Sequence, residues 1–175
     1  MGYARRFTDG AVPICVEGYE DENVVKRQDS QPSTDGIHDL LCLTWEPPAG
    51  TEVRGIIQIV HGMIEFVDRY DDIARCFAAN GFIVTGEDHL GHGGSVKSEE
   101  EWGQLPGKEG ATFLVEDVHN LRVRTQQRYG NSLPYIMYGH SMGSFITRSY
   151  LMTHGDGLAG AIVSGTGQTP LATSR

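Results

Sequence analysis

The chain has 175 residues, 39% of them hydrophobic and 21% charged, with a formal net charge of −9. That is enough for one globular domain with a substantial core and too little for two ordinary ones. The acidic balance argues against a nucleic-acid partner, which needs a basic face, and against electrostatic docking on anionic lipid, although a small apolar patch would escape that second test.

No apolar run approaches the roughly 20 residues of a membrane-spanning helix. The start, Met1 to Phe7, carries Arg5-Arg6 without an apolar stretch behind it, so no export signal is read there. Arg6 occupies the position where a myristoylation site needs Ser or Thr. Cys15, Cys42 and Cys76 are scattered, with neither metal nor redox spacing. Reduced thiols and a cytoplasmic location are the expectation.

Residues 1–36 are polar and weakly periodic, and read as an arm or short edge strand; residues 37–175 read as one domain. Residues 38–46 (HDLLCLTWE) alternate loosely and stop at Pro47-Pro48, a strand and then a turn. Residues 55–60 (GIIQIV) form a β-branched run of the kind buried on both faces of a parallel sheet. A helix follows near 68–79, with Tyr70, Ile73, Cys76 and Phe77 on one face and Asn80-Gly81 as its stop. Residues 82–86 (FIVTG) are a second buried strand, ahead of a long Gly-rich loop through Gly110. The spacing predicts a helix over 111–129, striped by Leu114, Val118, Leu121 and Thr125. Residues 134–138 (PYIMY) are a strand, residues 142–153 a helix, and residues 159–164 (AGAIVS) a further strand. Such alternation implies an α/β fold, a mainly parallel sheet with helices on both faces.

The strongest chemical signal is PYIMY running directly into Gly139-His140-Ser141-Met142-Gly143 and then a helix. A G-x-S-x-G pattern says little alone, but at a strand–turn–helix junction it describes a strained turn that lifts a serine hydroxyl above the sheet edge. Gly139 and Gly143 are needed there because a side chain would collide with the neighbouring strand and helix. Ser141 is therefore the candidate nucleophile. The Met142 N–H, in the first turn of the helix, is the candidate donor to a developing oxyanion, with the helix dipole behind it. His140 points elsewhere and is not the expected base. A second donor normally comes from the loop after an early strand. His61-Gly62-Met63 follows GIIQIV, so Gly62 turns the backbone and Met63 supplies the N–H, while His61 holds the loop.

Three segments in order, HGMIEFVDRY, EDHLGHGGS and GHSMGS, resemble the monoacylglycerol lipase and lysophospholipase branch of the α/β-hydrolases, also labelled serine aminopeptidase-like. The resemblance spans residues 55–167 and implies an α/β-hydrolase fold, Ser141 as nucleophile and the amides of Met63 and Met142 as oxyanion hole. The Asp88–Gly93 loop is similar to a segment that shapes the floor of the site in relatives, and His89 and His92 belong to that loop rather than to a metal. Glu65 and Arg69, four apart, form a local ion pair or a solvated one. The resemblance implies no metal and no cofactor.

In this fold the serine is followed by an acid and then a histidine on later loops. All seven histidines of this chain precede that point. The expectation is an N-terminal portion only: triad Asp and His absent, later strands and cap missing, little activity from these 175 residues alone. The C-terminal part of the same protein could then be present as a second chain beside an open edge at Ala161, Ile162 and Val163. The expected activity of the complete protein is hydrolysis of carboxylic esters of single-chain lipids, monoacylglycerols or lysophospholipids, through an acyl-enzyme on Ser141. The alternatives are a non-catalytic binding module or inactive fragment on the same fold, and a peptidase or thioesterase.

Overall fold

The computed structural model describes residues 23–105 and 107–167. The expectations for Cys15, for the Arg5-Arg6 start and for the last eight residues lie outside that range. In chain order the elements are β1 (Val25–Pro32), β2 (Asp39–Glu46), β3 (Gly55–Val60), α1 (Asp71–Ala79), β4 (Phe82–Glu87), α2 (Gly110–Tyr129), β5 (Tyr135–His140), α3 (Met142–His154) and β6 (Gly160–Ser164). Six strands form one sheet in the order β1-β2-β4-β3-β5-β6. Strands β4, β3, β5 and β6 are mutually parallel, and the β1–β2 hairpin adds antiparallel to β4.

Strand β3 lies at the centre of the parallel set, so all six of its residues are buried. Its side chains alternate between two cores. Ile57 and Ile59 pack with Trp45, Val67, Ala74, Ala78 and Val84 under α1. Val60 packs with Leu114, Val118, Met137, Ile146 and Tyr150 under α2 and α3. Gln58 is wholly buried yet satisfied: it accepts from the Tyr135 hydroxyl at 2.6 Å and donates to the Val118 carbonyl at 2.9 Å. With both faces covered, the strand ends are where a loop can present chemistry.

The stripe Leu114, Val118, Leu121 and Thr125 is buried as expected. The face of α1 differs. Residues 67–70 form a 3₁₀ turn, α1 starts at Asp71, and the small side chains of Ala74 and Ala78 let it approach the sheet while Ile73 turns outward. Within the polar arm, β1 pairs along all eight residues with β2. Its turn is tied to α2 by Asp117, which accepts from the Ser33 hydroxyl (2.8 Å) and from the Thr34 N–H and hydroxyl (both 2.6 Å). Strand β6 is an edge among the described residues, with Ile162 and Val163 exposed. Cys42 is a buried free thiol. No helix among the described residues is long and apolar enough to cross a membrane.

Candidate active site

Ser141 stands between β5 and α3 with φ 52° and ψ −117°. Only one other non-glycine among the described residues has positive φ, Ile64 at 59°, in the loop after β3. A left-handed backbone costs an L-residue roughly 1–2 kcal/mol, and for a β-branched one it is a true outlier. Both strained positions therefore fall on the two loops that sequence alone singled out, and strain of this kind persists only where the surroundings over-determine it.

The surroundings of Ser141 do so. Its N–H donates to the Ser164 carbonyl on β6 at 2.9 Å. Its carbonyl accepts from the Ser144 N–H (2.9 Å) and from the buried Ser144 hydroxyl (2.6 Å). A Cβ on Gly143 would overlap the carbonyl oxygens of Val60 and His61, and one on Gly139 would overlap the Thr147 hydroxyl and the Gly143 carbonyl. The Val60, His61 and Gly143 oxygens are backbone atoms that no rotamer moves aside, so the two glycines are required by packing of the turn on β3 and α3. Met142 opens α3, where the N–H groups of the first turn have no intrahelical acceptor and the dipole is positive. Its side chain packs on the core under α2 and α3.

The loop after β3 closes on this turn. A Cβ on Gly62 would come 3.1 Å from the Ser141 Cβ and 2.7 Å from Glu65 Oε2, so a side chain there would displace the Glu65 carboxylate and crowd Ser141. The Gly62 N–H donates to Glu65 at 2.8 Å, and the same oxygen accepts from the Tyr70 hydroxyl at 2.7 Å. Arg69 stands 3.6 Å from the other carboxylate oxygen and is largely exposed. Burial alone would raise the Glu65 pKa. The bonds from Tyr70 and Gly62, with His140 and Arg69 nearby, carry it below the ordinary value, so it braces the loop as an anion. The Gly62 N–H is thus occupied. Met63, next in sequence, lines the same cavity as Met142.

His61 fixes the other side of the loop. Its Nε2 accepts from the His89 N–H at 3.0 Å, which leaves Nδ1 to donate to the Gly62 carbonyl at 2.8 Å. Burial pushes its pKa down to about 4, with His92 adding to the effect. It is a neutral strut with both nitrogens engaged. Asp88 shapes the floor segment: its carboxylate accepts from the Val67 N–H (2.6 Å) and the Gly94 N–H (2.7 Å). The rings of His61, His89 and His92 cluster, but the described residues contain no group of three or more His, Cys, Asp or Glu arranged to hold a metal ion.

Every histidine of the chain is described, and none hydrogen-bonds the Ser141 hydroxyl. His38 faces Asp35, His92 the Leu90 carbonyl, His119 the Tyr150 hydroxyl, His140 the Ser164 hydroxyl and His154 Glu116. Three parts of the site escaped the sequence reading. The Tyr70 bond to Glu65 had a faint signal in their five-residue spacing. The positive φ of Ile64 and the apolar wall made by Trp102 had none.

A parallel-rich sheet with helices on both faces, a strained serine between strand and helix, and a glycine loop closing on that serine together define an α/β-hydrolase. The chain belongs to the serine aminopeptidase S33 family, whose model matches residues 51–171. It is similar to a monoacylglycerol lipase of Mycolicibacterium smegmatis, 35% identical over 106 residues, which are 61% of this chain and 35% of that protein. It is also similar to the human monoglyceride lipase, 32% identical over 113 residues, 61% of this chain and 32% of the relative. The chain thus spans about a third of the length of these curated relatives. Among solved structures it resembles a thermostable carboxyl esterase from Bacillus coagulans, with a TM-score of 0.74 and 39% identity over 81% of this chain and 44% of the other.

Proposed function

We propose that the protein is a serine hydrolase that cleaves carboxylic esters of single-chain lipids through an acyl-enzyme on Ser141. The observation that carries the reading is Ser141 itself: a non-glycine residue at φ 52°, ψ −117°, held there by Ser144, Ser164 and two glycines that nothing larger can replace. Fixing a serine in so unfavourable a conformation serves no packing need, because its side chain fills no core.

In this mechanism the Ser141 oxygen attacks the ester carbonyl and its proton passes to a histidine from outside this chain. The negative charge on the carbonyl oxygen is met by the N–H groups of Met63 and Met142. The carbon–oxygen bond to the alcohol then breaks, and the alcohol leaves with the proton. Water, activated by the same histidine, cleaves the acyl-enzyme and restores the serine. An external base fits the lack of any hydrogen bond from this chain's histidines to the Ser141 hydroxyl, and the lipase and esterase names of the relatives favour an ester over a peptide.

Ser141→Ala tests the reading. In the protein expressed from its whole reading frame, turnover of p-nitrophenyl butanoate should fall on the order of a million-fold while the melting temperature holds. Near-parental turnover in a preparation free of other esterases rules the assignment out.

A further inference from the structure

Strand β4 ends in a buried acid. Glu87 is 1% exposed and lies opposite Cys42 of β2 in the sheet. Its Oε2 accepts from the Gln31 side-chain amide at 2.5 Å, and that amide also donates to the Asp117 carbonyl at 3.1 Å. Its Oε1 has no hydrogen bond among the described residues; His89 Nδ1 stands 3.7 Å from it. Neither ring nitrogen of His89, which is equally buried, is hydrogen-bonded there. Polar groups buried this deeply are nearly always paired, and a leucine would fill the place of Glu87 without desolvating an acid. The apolar packing of β4 is supplied by Ile83 and Val84 instead.

The surroundings keep both members of the pair neutral. Burial raises the Glu87 pKa, Asp117 on α2 and Asp88 add to the rise, and Arg124 opposes it. The Cys42 thiol, held protonated by its own burial, brings no charge. Burial lowers the His89 pKa, and His61 and His92 lower it further. A neutral Glu87 whose Oε2 accepts from Gln31 carries its proton on Oε1, facing His89 Nδ1, so the imidazole keeps its own proton on Nε2. From His89 the contacts lead to the proposed oxyanion loop. Its ring lies 4.0 Å from that of His61, and its N–H donates to His61 Nε2 at 3.0 Å. His61 Nδ1 donates to the Gly62 carbonyl at 2.8 Å, and Gly62 packs against the Ser141 side chain.

We propose that Glu87 and His89 are positioning residues for the oxyanion loop, acting through His61 to hold Gly62, and the Met63 N–H that follows it, in register with Ser141. The inference rests on Ser141 as the nucleophile. Ionisation of Glu87 would put an anion 3.7 Å from His89 Nδ1 and draw the imidazole proton to that nitrogen, altering the ring that His61 stacks on. The loop is then held correctly only while Glu87 keeps its proton.

The test compares Glu87→Leu, which removes the donor, with Glu87→Gln, whose amide can still accept from Gln31 and donate to His89 but does not titrate. With p-nitrophenyl butanoate at the parental pH optimum, Glu87→Leu should lower kcat about tenfold at unchanged KM, and Glu87→Gln should restore it. The parental kcat should decline on the alkaline side as Glu87 ionises, and Glu87→Gln should lack that decline. Nitrogen-15 spectra of histidine-labelled protein give a readout without turnover, the His89 signals being assigned by their loss in His89→Gln. His89 should carry its proton on Nε2 and pass it to Nδ1 at alkaline pH in the parent but not in Glu87→Gln. Should Glu87→Leu fail to fold, the comparison of parent with Glu87→Gln decides alone. Parental kcat in Glu87→Leu, or the parental alkaline decline and tautomer change persisting in Glu87→Gln, overturns the positioning role and leaves the nucleophile standing. Turnover retained by Ser141→Ala overturns the nucleophile and the positioning role with it, even where the His89 tautomer follows Glu87.

Discussion

Acidification should destabilise this fold through His61, by an amount the structure sets. His61 is wholly buried, with Nδ1 donating to Gly62 and Nε2 accepting from His89, and no room for a second proton. Its pKa of about 4 replaces an ordinary 6.5. A depressed histidine binds fewer protons folded than unfolded, so its contribution is complete above pH 6.5 and is lost as pH falls towards 4. At about 1.4 kcal/mol per tenfold change, the loss amounts to about 3 kcal/mol. His89, buried beside it and also held well below its ordinary pKa, adds in the same direction. Urea unfolding at half-unit steps from pH 7.5 to 4 measures the total, and His61→Gln isolates the share of His61. Glutamine keeps an acceptor for the His89 N–H but does not titrate. The variant should be less stable at pH 7.5 and should lose about 3 kcal/mol less on the way to pH 4. Parallel stability curves for parent and variant would refute the reasoning, because His61 would then titrate alike in both states.

Three further outcomes follow from named contacts. Gly143→Ala forces a Cβ onto the Val60 and His61 carbonyls, and should cost about 3 kcal/mol or more in urea unfolding and abolish ester hydrolysis; unchanged stability would mean that the turn can move off β3. Tyr70→Phe removes a bond that helps keep Glu65 anionic, so the acid limb of the pH–rate profile should move to higher pH and kcat should fall up to about tenfold; an unmoved limb would show that Glu65 does not brace the oxyanion loop. Glu87 is fully buried and its pKa is raised chiefly by that burial, so its contribution is lost as pH rises above the ordinary carboxyl range; Glu87→Gln should flatten the decline in melting temperature on that alkaline side, and a parallel decline would contradict this.

The parts of the fold that could be read from sequence are those whose burial is written in side-chain type. GIIQIV is β-branched on both faces because β3 is covered on both faces, and its observed limits match the run. The GHSMG turn was legible because the clash that demands each glycine is local. By contrast, β1 reads VKRQDSQP and hides almost nothing but Gln31; it is a strand because of its backbone ladder to β2, which leaves no pattern in one sequence. Asp117 on α2 and its partners at Ser33 and Thr34 lie more than eighty residues apart, so their bonds come only from the fold. The same holds at the site. Glu65 and Arg69 were readable as a pair at helical spacing, but the stronger bonds of Glu65 go to Gly62 and Tyr70. Nothing in HGMIEF foretells that Ile64 takes a conformation suited to glycine.

The central claim is that Ser141 is a nucleophile activated by its turn. A fluorophosphonate, which modifies activated serines covalently, tests it most directly when the labelled protein, expressed from its whole reading frame, is digested and weighed by mass spectrometry. The account predicts one phosphonylated serine, in the peptide that carries Gly139 to Gly143, and no adduct in Ser141→Ala. An adduct on another serine, or labelling of Ser141→Ala at the parental rate, would contradict it.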